Sequence, residues 1–543
     1  MPINQKTSPL GKRLAAHLLR RTTYNYNKKR IEEFALKTPQ QALDILMANY
    51  SPWRDKPWTA ALNGPYVDVT GPGTVVPNRG KNARVTRDTV SWWLEEARRD
   101  ETMHHRMMTF LYQNFMVHSR FAKAQCFYDY IKYLQYYSLG NYKELAKKIS
   151  LSSTMLMYLN GNGSKKNNPN ENYAREYFEL FTIGKGEQIS GTDFTTYTEY
   201  DVKQAAKVFT GWRRDYRRNK FDEDTSIPRG FYRKKNHNTS DKTFSAAFNN
   251  TVITGGSTQI EAIQEIDDLT EMIFGQMATA KNIVRKLYRF FVKAEITTAV
   301  ENTIITTLAT ELKNDDYDLY NTIKNLLNSQ HFYDEGDTVS TDNMVGALIK
   351  SPKEIIDNIV NYFDVKTPIN NQFFKYYQRQ VIPWQAKTEM KLGYPNGVQG
   401  FDGYFLAPSF DRNWYSLDTA EPRLKIAKSF VDGRDRLSPN GNRRMTAQTK
   451  INVMAWVTNT DNISDPSSAE IIVDELLEGL FPETPSANRR SYFLNEIFLQ
   501  NLAPISWTFE WQNFLDTGET AEVKEGLENL LTAVLTSPEF QTM

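Results

Sequence analysis

Apolar residues return every three or four positions along most of this chain, the spacing that gathers them on one face of an α-helix. The pattern predicts helices over Thr38 to Tyr50, Thr86 to Asp100, Glu101 to Val117, Phe127 to Ser138, Thr198 to Thr210, Thr279 to Lys293, Asp337 to Tyr362, Ser468 to Leu480 and Ala521 to Leu535. Start signals accompany some of them. Thr198 with Asp201 makes a capping box with Asp in place of Glu, and Thr38 precedes Pro39 at the first helical position. In KNIVRKLYRFFVKA, Ile283, Leu287, Phe290 and Phe291 share one face, and Lys281, Arg285 and Arg289 the other. That reads as a core helix with its cations in water rather than a membrane-surface helix.

Three polar stretches rich in Gly, Pro and Asn separate the helices: Asn63 to Ala83, Arg213 to Ser257 and Pro383 to Asn442. Each exceeds an ordinary connection, so partner-facing surface is expected there. The basic run Arg213 to Lys220 is followed at once by Asp222, Glu223 and Asp224, and reads as a solvated face, with a phosphate or polysaccharide contact as the alternative. The expected architecture is mainly α, a large multi-helix globular protein with long irregular loops and little strand. Its segments, 1–62, 84–212, 213–257, 258–382, 383–442 and 443–543, are expected to form one integrated fold.

Composition narrows the classes. Of 543 residues, 40% are hydrophobic and 24% charged, which excludes general disorder. The 66 basic and 64 acidic residues leave a net charge of +2, so nucleic acid is not an expected partner. Cys126 is the single cysteine, which removes intrachain disulfides and cysteine-based metal sites. No transmembrane segment is predicted, because no stretch of about 18 apolar residues occurs. The first twenty residues carry no apolar run of signal-peptide length, so the protein reads as cytoplasmic by default or exported with a partner.

The densest polar cluster is NNPNENYAREYFELFTIGKG, Asn167 to Gly186. Asn168 before Pro169 predicts an N-cap, and Gly184 or Gly186 the stop, for a helix of about four turns. Glu171, Arg175 and Glu179 recur at i, i+4 and i+8, placing Arg175 between two carboxylates, with Asn172 and Glu176 beside that ladder and Tyr173, Tyr177, Leu180 and Phe181 on an apolar flank. In one reading the ladder is a structural clamp. In the other, Glu176 with Glu179 or Glu171 faces a cavity, for acid–base work, a hard cation or sugar hydroxyls.

A second group, YTEYDVKQAAKVFTGW, starts with Glu199 and Asp201 where carboxylates complement a helix dipole. His237, Asn238, Asp241 and Lys242 follow in a predicted loop. No GxGxxG, phosphate-binding loop, nucleophile elbow or HExxH is present, so nucleotide-dependent chemistry has no support. His104 and His105 are adjacent and point about 100° apart on a helix. No metal site is predicted.

These motifs carry a resemblance. NPNENYAREYFELFTIGKG followed by YTEYDVKQAAKVFTGW is similar to the signature of the bacterial family called domain of unknown function 1800. The similarity continues through AAHLLRRTTYN, RMMTFLYQNF, LGNYKELAKKI, TMLMYLNGN, HNTSDKTF, AKNIVRKLYRFFV, KSPKEI, GVQGFDGYFLAP and NWYSLDTAEPR. The closing SPEFQTM resembles members from the Bacteroidota. The resemblance implies a mainly helical fold and supplies no activity or cofactor. It also implies a neighbour, since the family's genes commonly lie beside those of the sulfatase-like domain of unknown function 1501. The chain departs from the pattern where many relatives read Trp-His-Asn-His-Phe and it reads Leu111, Tyr112, Gln113, Asn114 and Phe115. Asn238 stands for an aspartate and Phe401 for a tryptophan.

Two functions are therefore expected. The first is action on, or binding of, a surface or extracellular polysaccharide. Glu176 and Glu179 would do acid–base work oriented by Arg175, with Asn170, Glu171, Asn172, Glu199, Asp201, His237, Lys242 and Arg423 as ligand contacts. The second is a non-catalytic scaffold or escort for a sulfatase-like exported partner.

Overall fold

The computed structural model describes residues 3–52, 79–335, 343–368, 372–438, 443–445 and 449–543. The predicted polar stretch 63–83 lies mostly outside them. Helix makes up 60% of the structure and strand 5%. Among the described residues the strands form four two-stranded antiparallel ladders, two of them inside the 213–257 stretch or at its edge.

Local signals set several helix starts. Thr38 caps Pro39–Leu46 in a full capping box with Gln41, and Thr198 caps Glu199–Val208 reciprocally with Asp201. The basic amphipathic segment forms Met277–Phe291 and buries Ile283, Val284, Leu287, Phe290 and Phe291. Each such side chain is worth about 1.5–3 kcal/mol of hydrophobic stabilisation. Its polar face is not simply in water. Arg285 donates from Nε and Nη2 to the two oxygens of Glu301 at 2.9 and 2.6 Å.

Two predicted spans differ. The helix expected from Asp337 begins at Pro352, capped by Ser351 in a box with Glu354; residues 336–342 are outside the description. The 383–442 stretch contains a 16-residue helix, Leu417–Asp432, which starts on a Ser416–Thr419 box and closes on Gly433 at φ +73°. Pro422 inside that helix makes the segment look like a loop in sequence.

One apolar cluster includes residues from Leu10 to Phe540 and draws on most of the helices. Helix Gly11–Thr22 packs on Lys28–Ala35 and Ala469–Leu480, while Leu417–Asp432 packs on Pro352–Tyr362 and Ala521–Thr536. Two buried cations reach carbonyls at these junctions through one nitrogen each: Arg20 Nη2 donates to Gly479 O at 2.6 Å and Arg21 Nη2 to Met344 O at 2.8 Å, while Nε and Nη1 of both find no hydrogen-bond partner among the described residues. The last residues run along 348–350, where Met543 N donates to Leu348 O at 2.9 Å and Lys350 N to Gln541 O at 2.8 Å.

The basic run is solvated only in part: Arg217 and Lys220 are exposed and Arg213 and Arg214 half-buried, but one cation turns inward. Arg218 is buried and donates from Nε and Nη2 to Asp129, both at 2.7 Å, and Asp215 collects the amides of Arg217, Asn219 and Lys220. The turn gathered by Asp215 directs Arg218 inward. No helix among the described residues is long and apolar enough to cross a membrane.

Candidate functional site

The signature cluster folds as a short helix, Glu171–Glu176, continued by a wider π turn, Tyr177–Phe181. Its cap is Asn170, not Asn168. Asn170 Oδ1 accepts from Tyr173 N at 3.1 Å while its Nδ2 donates to Leu159 O at 2.9 Å. Asn168 is instead held in a turn with Lys165. The Gly184 amide closes the π turn on Phe178 O at 2.9 Å, with Gly184 at φ +73°.

The predicted ladder does not form. Glu171 and Asn172 are exposed, and Arg175 turns away from its own helix to Glu199, with Nη2 2.8 Å from both carboxylate oxygens. Glu179 accepts from Tyr197 Oη at 2.6 Å and pairs with Lys185 at 2.9 Å. Glu176, half-buried and without a hydrogen-bonded partner among the described residues, has its carboxyl pushed up to about 7 by burial and then by the charge of Glu179.

The remaining predicted residues are structural in their contacts. Asp201 is buried and accepts from Thr198 and from the amide and hydroxyl of Ser245, both at 2.7 Å, which ties the 213–257 stretch to the core. His237 and Lys242 are buried on opposite oxygens of Glu265, with His237 Nε2 at 3.1 Å from Oε1 and Lys242 Nζ at 2.5 Å from Oε2. Glu265 also accepts from the Gly256 amide at 2.5 Å. Nothing in QEIDDL marks Glu265 as a partner of residues 23 and 28 positions earlier. Arg423 is fully buried and donates to the carbonyls of Lys350 and Trp414 and to Gln541 Oε1. Burial brings its guanidinium down to about 9.

Where these segments meet there is a cavity of about 150 Å³. Seven separated motifs contribute to its wall. RMMTFLYQNF supplies Arg106, Phe110, Gln113 and Asn114; the signature helix supplies Glu179; the basic helix supplies Lys286, Arg289 and Phe290. Glu354, Tyr404 and Trp414 close it, with Met543 at its edge. Of the residues predicted to be functional, Glu179 alone lines it; Arg423 stands behind it, holding the Trp414 carbonyl at 3.2 Å.

The charges in the wall are unevenly paired. Arg106 is buried against Glu354 and between the rings of Tyr24 and Phe290. Lys286 donates to Leu180 O at 2.7 Å and has no carboxylate partner among the described residues; burial and Arg289 bring its ammonium down to about 8. Arg289 lies 4.6 Å over the Phe410 ring and donates from Nε to Ala294 O at 3.2 Å, leaving its terminal nitrogens available. Both cations were masked in the sequence by lying on a helix that reads as core on one face and solvated on the other. The cavity therefore offers aromatic walls, two cations without acidic partners among the described residues, and three carboxylates, of which Glu354 is paired with Arg106, Asp411 accepts from the Ile349 amide at 2.8 Å and Glu179 is held by Tyr197 and Lys185.

The positions at which the resemblance expects histidines are occupied and bonded. Tyr112 is buried and donates to Val117 O at 2.7 Å, and Asn114 donates to Phe110 O at 2.8 Å. Gln113 between them donates to Gln399 O at 2.9 Å and accepts from Phe401 N at 3.1 Å, stitching this helix end to GVQGFDG. Among the described residues no group of three or more His, Cys, Asp or Glu side chains is placed to hold a metal ion.

A family model described as "Protein of unknown function (DUF1800)" matches residues 17–542. No curated protein and no solved structure matches the chain.

Proposed function

The chain belongs to the DUF1800 family, and from that premise we propose that it binds an anionic carbohydrate-class ligand in the cavity where the family's motifs meet. The observation that carries this reading is the pairing of Lys286 and Arg289, which have no hydrogen-bonded carboxylate among the described residues, with the rings of Phe290, Tyr404 and Trp414. Sugars present an apolar face that rests on aromatic rings, and an acidic substituent would supply the charge the two cations lack. Glu179 is placed to accept from a hydroxyl. The carboxylate–Arg–Asn cluster acts in support: Arg175 and Asn170 hold the helix that presents Glu179.

The test is calorimetric titration with glucuronate, sulfated and neutral monosaccharides. Binding of an acidic sugar that is lost in Lys286→Met and retained in Lys185→Met supports the reading. Equal binding of the neutral sugars, or unchanged affinity in Lys286→Met, rejects it.

A second reading, a scaffold for a sulfatase-like protein, is favoured by the Pro504–Thr517 helix. Ile505 and Phe509 on it are 55% and 66% exposed, and Leu502 just before it is 62% exposed. Co-purification of the two proteins, lost in Phe509→Asp, is its test.

A further inference from the structure

Away from the central cavity, three cations converge on a second pocket at the junction of three segments. Arg87 comes from helix Arg79–Arg99, Arg120 from the single turn Ser119–Phe121, and Lys391 from the turn after Ile382–Lys387. Tyr394 and Thr86 complete the wall. The Lys391 ammonium sits 4.3 Å over the Tyr394 ring.

The junction is built rather than accidental. Ser119 N donates to Gly393 O at 2.9 Å, which locks the Arg120 turn onto the 391–394 loop. Gly393 adopts φ +80°, and a Cβ there would meet Val90 at 2.9 Å, so the loop is seated directly on the long helix. His118 Nδ1 accepts from Arg120 N at 3.0 Å and fixes the turn that presents the arginine.

None of the three cations has an ion pair among the described residues. Asp88, next to Arg87 in the chain, is buried, accepts from Gln378 at 2.6 Å and is held up to about 7 by burial, so it offsets little of the charge. Lys391 feels the others: after burial, Arg120 and Arg87 are the influences that lower its ammonium. Three like charges held together by the backbone, with no ion-paired carboxylate among the described residues, are stabilised by an anion that accepts from all three.

We infer that Arg87, Arg120 and Lys391 form a second binding site, for an oxyanion of the sulfate or phosphate class. The site does not rest on the reading of the central cavity. Its ligand is either the free ion or an ester group on a sugar.

Calorimetric titrations of the full chain at fixed ionic strength test it, using sulfate, phosphate, glucose 6-sulfate, glucose 6-phosphate and glucose. Arg120→Gln is the main variant, because Arg120 is exposed and its side chain makes no hydrogen bond or ion pair among the described residues. Arg87→Gln is the second. We expect saturable binding of sulfate or phosphate, weakened at least about tenfold in each variant and unchanged in Lys286→Met. Tighter binding of the esters than of the free ions identifies a carried group; equal binding identifies the free ion. The inference is overturned if chloride or glucose competes equally, if Arg120→Gln and Arg87→Gln bind as wild type, or if binding is lost only in Lys286→Met.

Discussion

Arg175 reaches from the signature helix to Glu199 at the start of the next one, with Nη2 2.8 Å from each carboxylate oxygen. The pair spans the two halves of the family signature, so its role is to fix the angle between helices Glu171–Glu176 and Glu199–Val208. Both side chains are about a quarter exposed, 27% and 26%, so water screens the attraction. Glu199→Gln is expected to cost about 1 kcal/mol or less in urea denaturation. A loss of several kcal/mol would mean that the clamp carries far more than a screened pair.

Much of the helical plan was legible because capping and periodicity are local. Thr38, Thr198 and Ser468 each begin a helix within a few residues of the predicted start. The Leu417–Asp432 helix was not, since Pro422 hides it and its stability comes from packing on two distant helices. The site was less legible still. Arg175 was expected to bond Glu171 and Glu179 along its own helix, yet it pairs with Glu199; Lys242 and His237 share Glu265, which no spacing rule connects to them. The cavity depends on Lys286 and Trp414 meeting across more than a hundred residues of chain, which only the tertiary fold provides.

The Glu265 carboxylate is the one anion between His237 and Lys242, and all three side chains are buried. Burial already lowers the Lys242 ammonium below its ordinary range, and Glu265 opposes that shift. Glu265→Gln should therefore destabilise the protein by about 3–5 kcal/mol, the cost of an uncompensated buried charge. Combining it with Lys242→Met should recover part of that loss. Urea midpoints of the single and double variants decide: a double variant as unstable as the sum would show that the ammonium is not the source.

Glu176 predicts a specific pH response. Its folded carboxyl titrates near 7, above the unfolded range near 4.5, so folding favours the protonated form. Below about 4.5 both states are protonated and no penalty applies. As pH rises toward 7 the unfolded carboxyl ionises first, and stability falls. Because the side chain is half-buried, water moderates the loss to about 1–2 kcal/mol. Glu176→Gln should raise the melting temperature at pH 8 and change it little at pH 4.5. A variant that melts lower than wild type at pH 8 would contradict the burial of an unpaired carboxyl.

Gly403 is needed for space. A Cβ there would lie 2.1 Å from Trp414 Cε2 and 2.4 Å from Cδ2. The indole cannot step aside easily, since Trp414 is buried, its ring packs at 5.1 Å on Tyr404, and its carbonyl is held by Arg423. Gly403→Ala is expected to cost about 1–3 kcal/mol in thermal or urea unfolding and to displace the indole. Loss of Trp414 packing should appear in near-ultraviolet circular dichroism.

Lys286 gives the cavity a titratable charge. Its ammonium titrates near 8 rather than 10.5 because burial and Arg289 disfavour the charged form. In the ligand-free protein that penalty applies below about 8 and fades as pH rises toward the unfolded value, so Lys286→Met should stabilise the empty protein at pH 7. An anion in the cavity reverses the preference, since it favours the ammonium and raises its titration point. Affinity for an acidic sugar should then be constant below pH 7 and decline as Lys286 loses its proton above 8. Lys286→Met should bind more weakly at pH 7, by about tenfold, and show no such decline. Titrations at pH 6.5 and 9 measure both effects, and an identical pH dependence in wild type and variant would remove Lys286 from the ligand's surroundings.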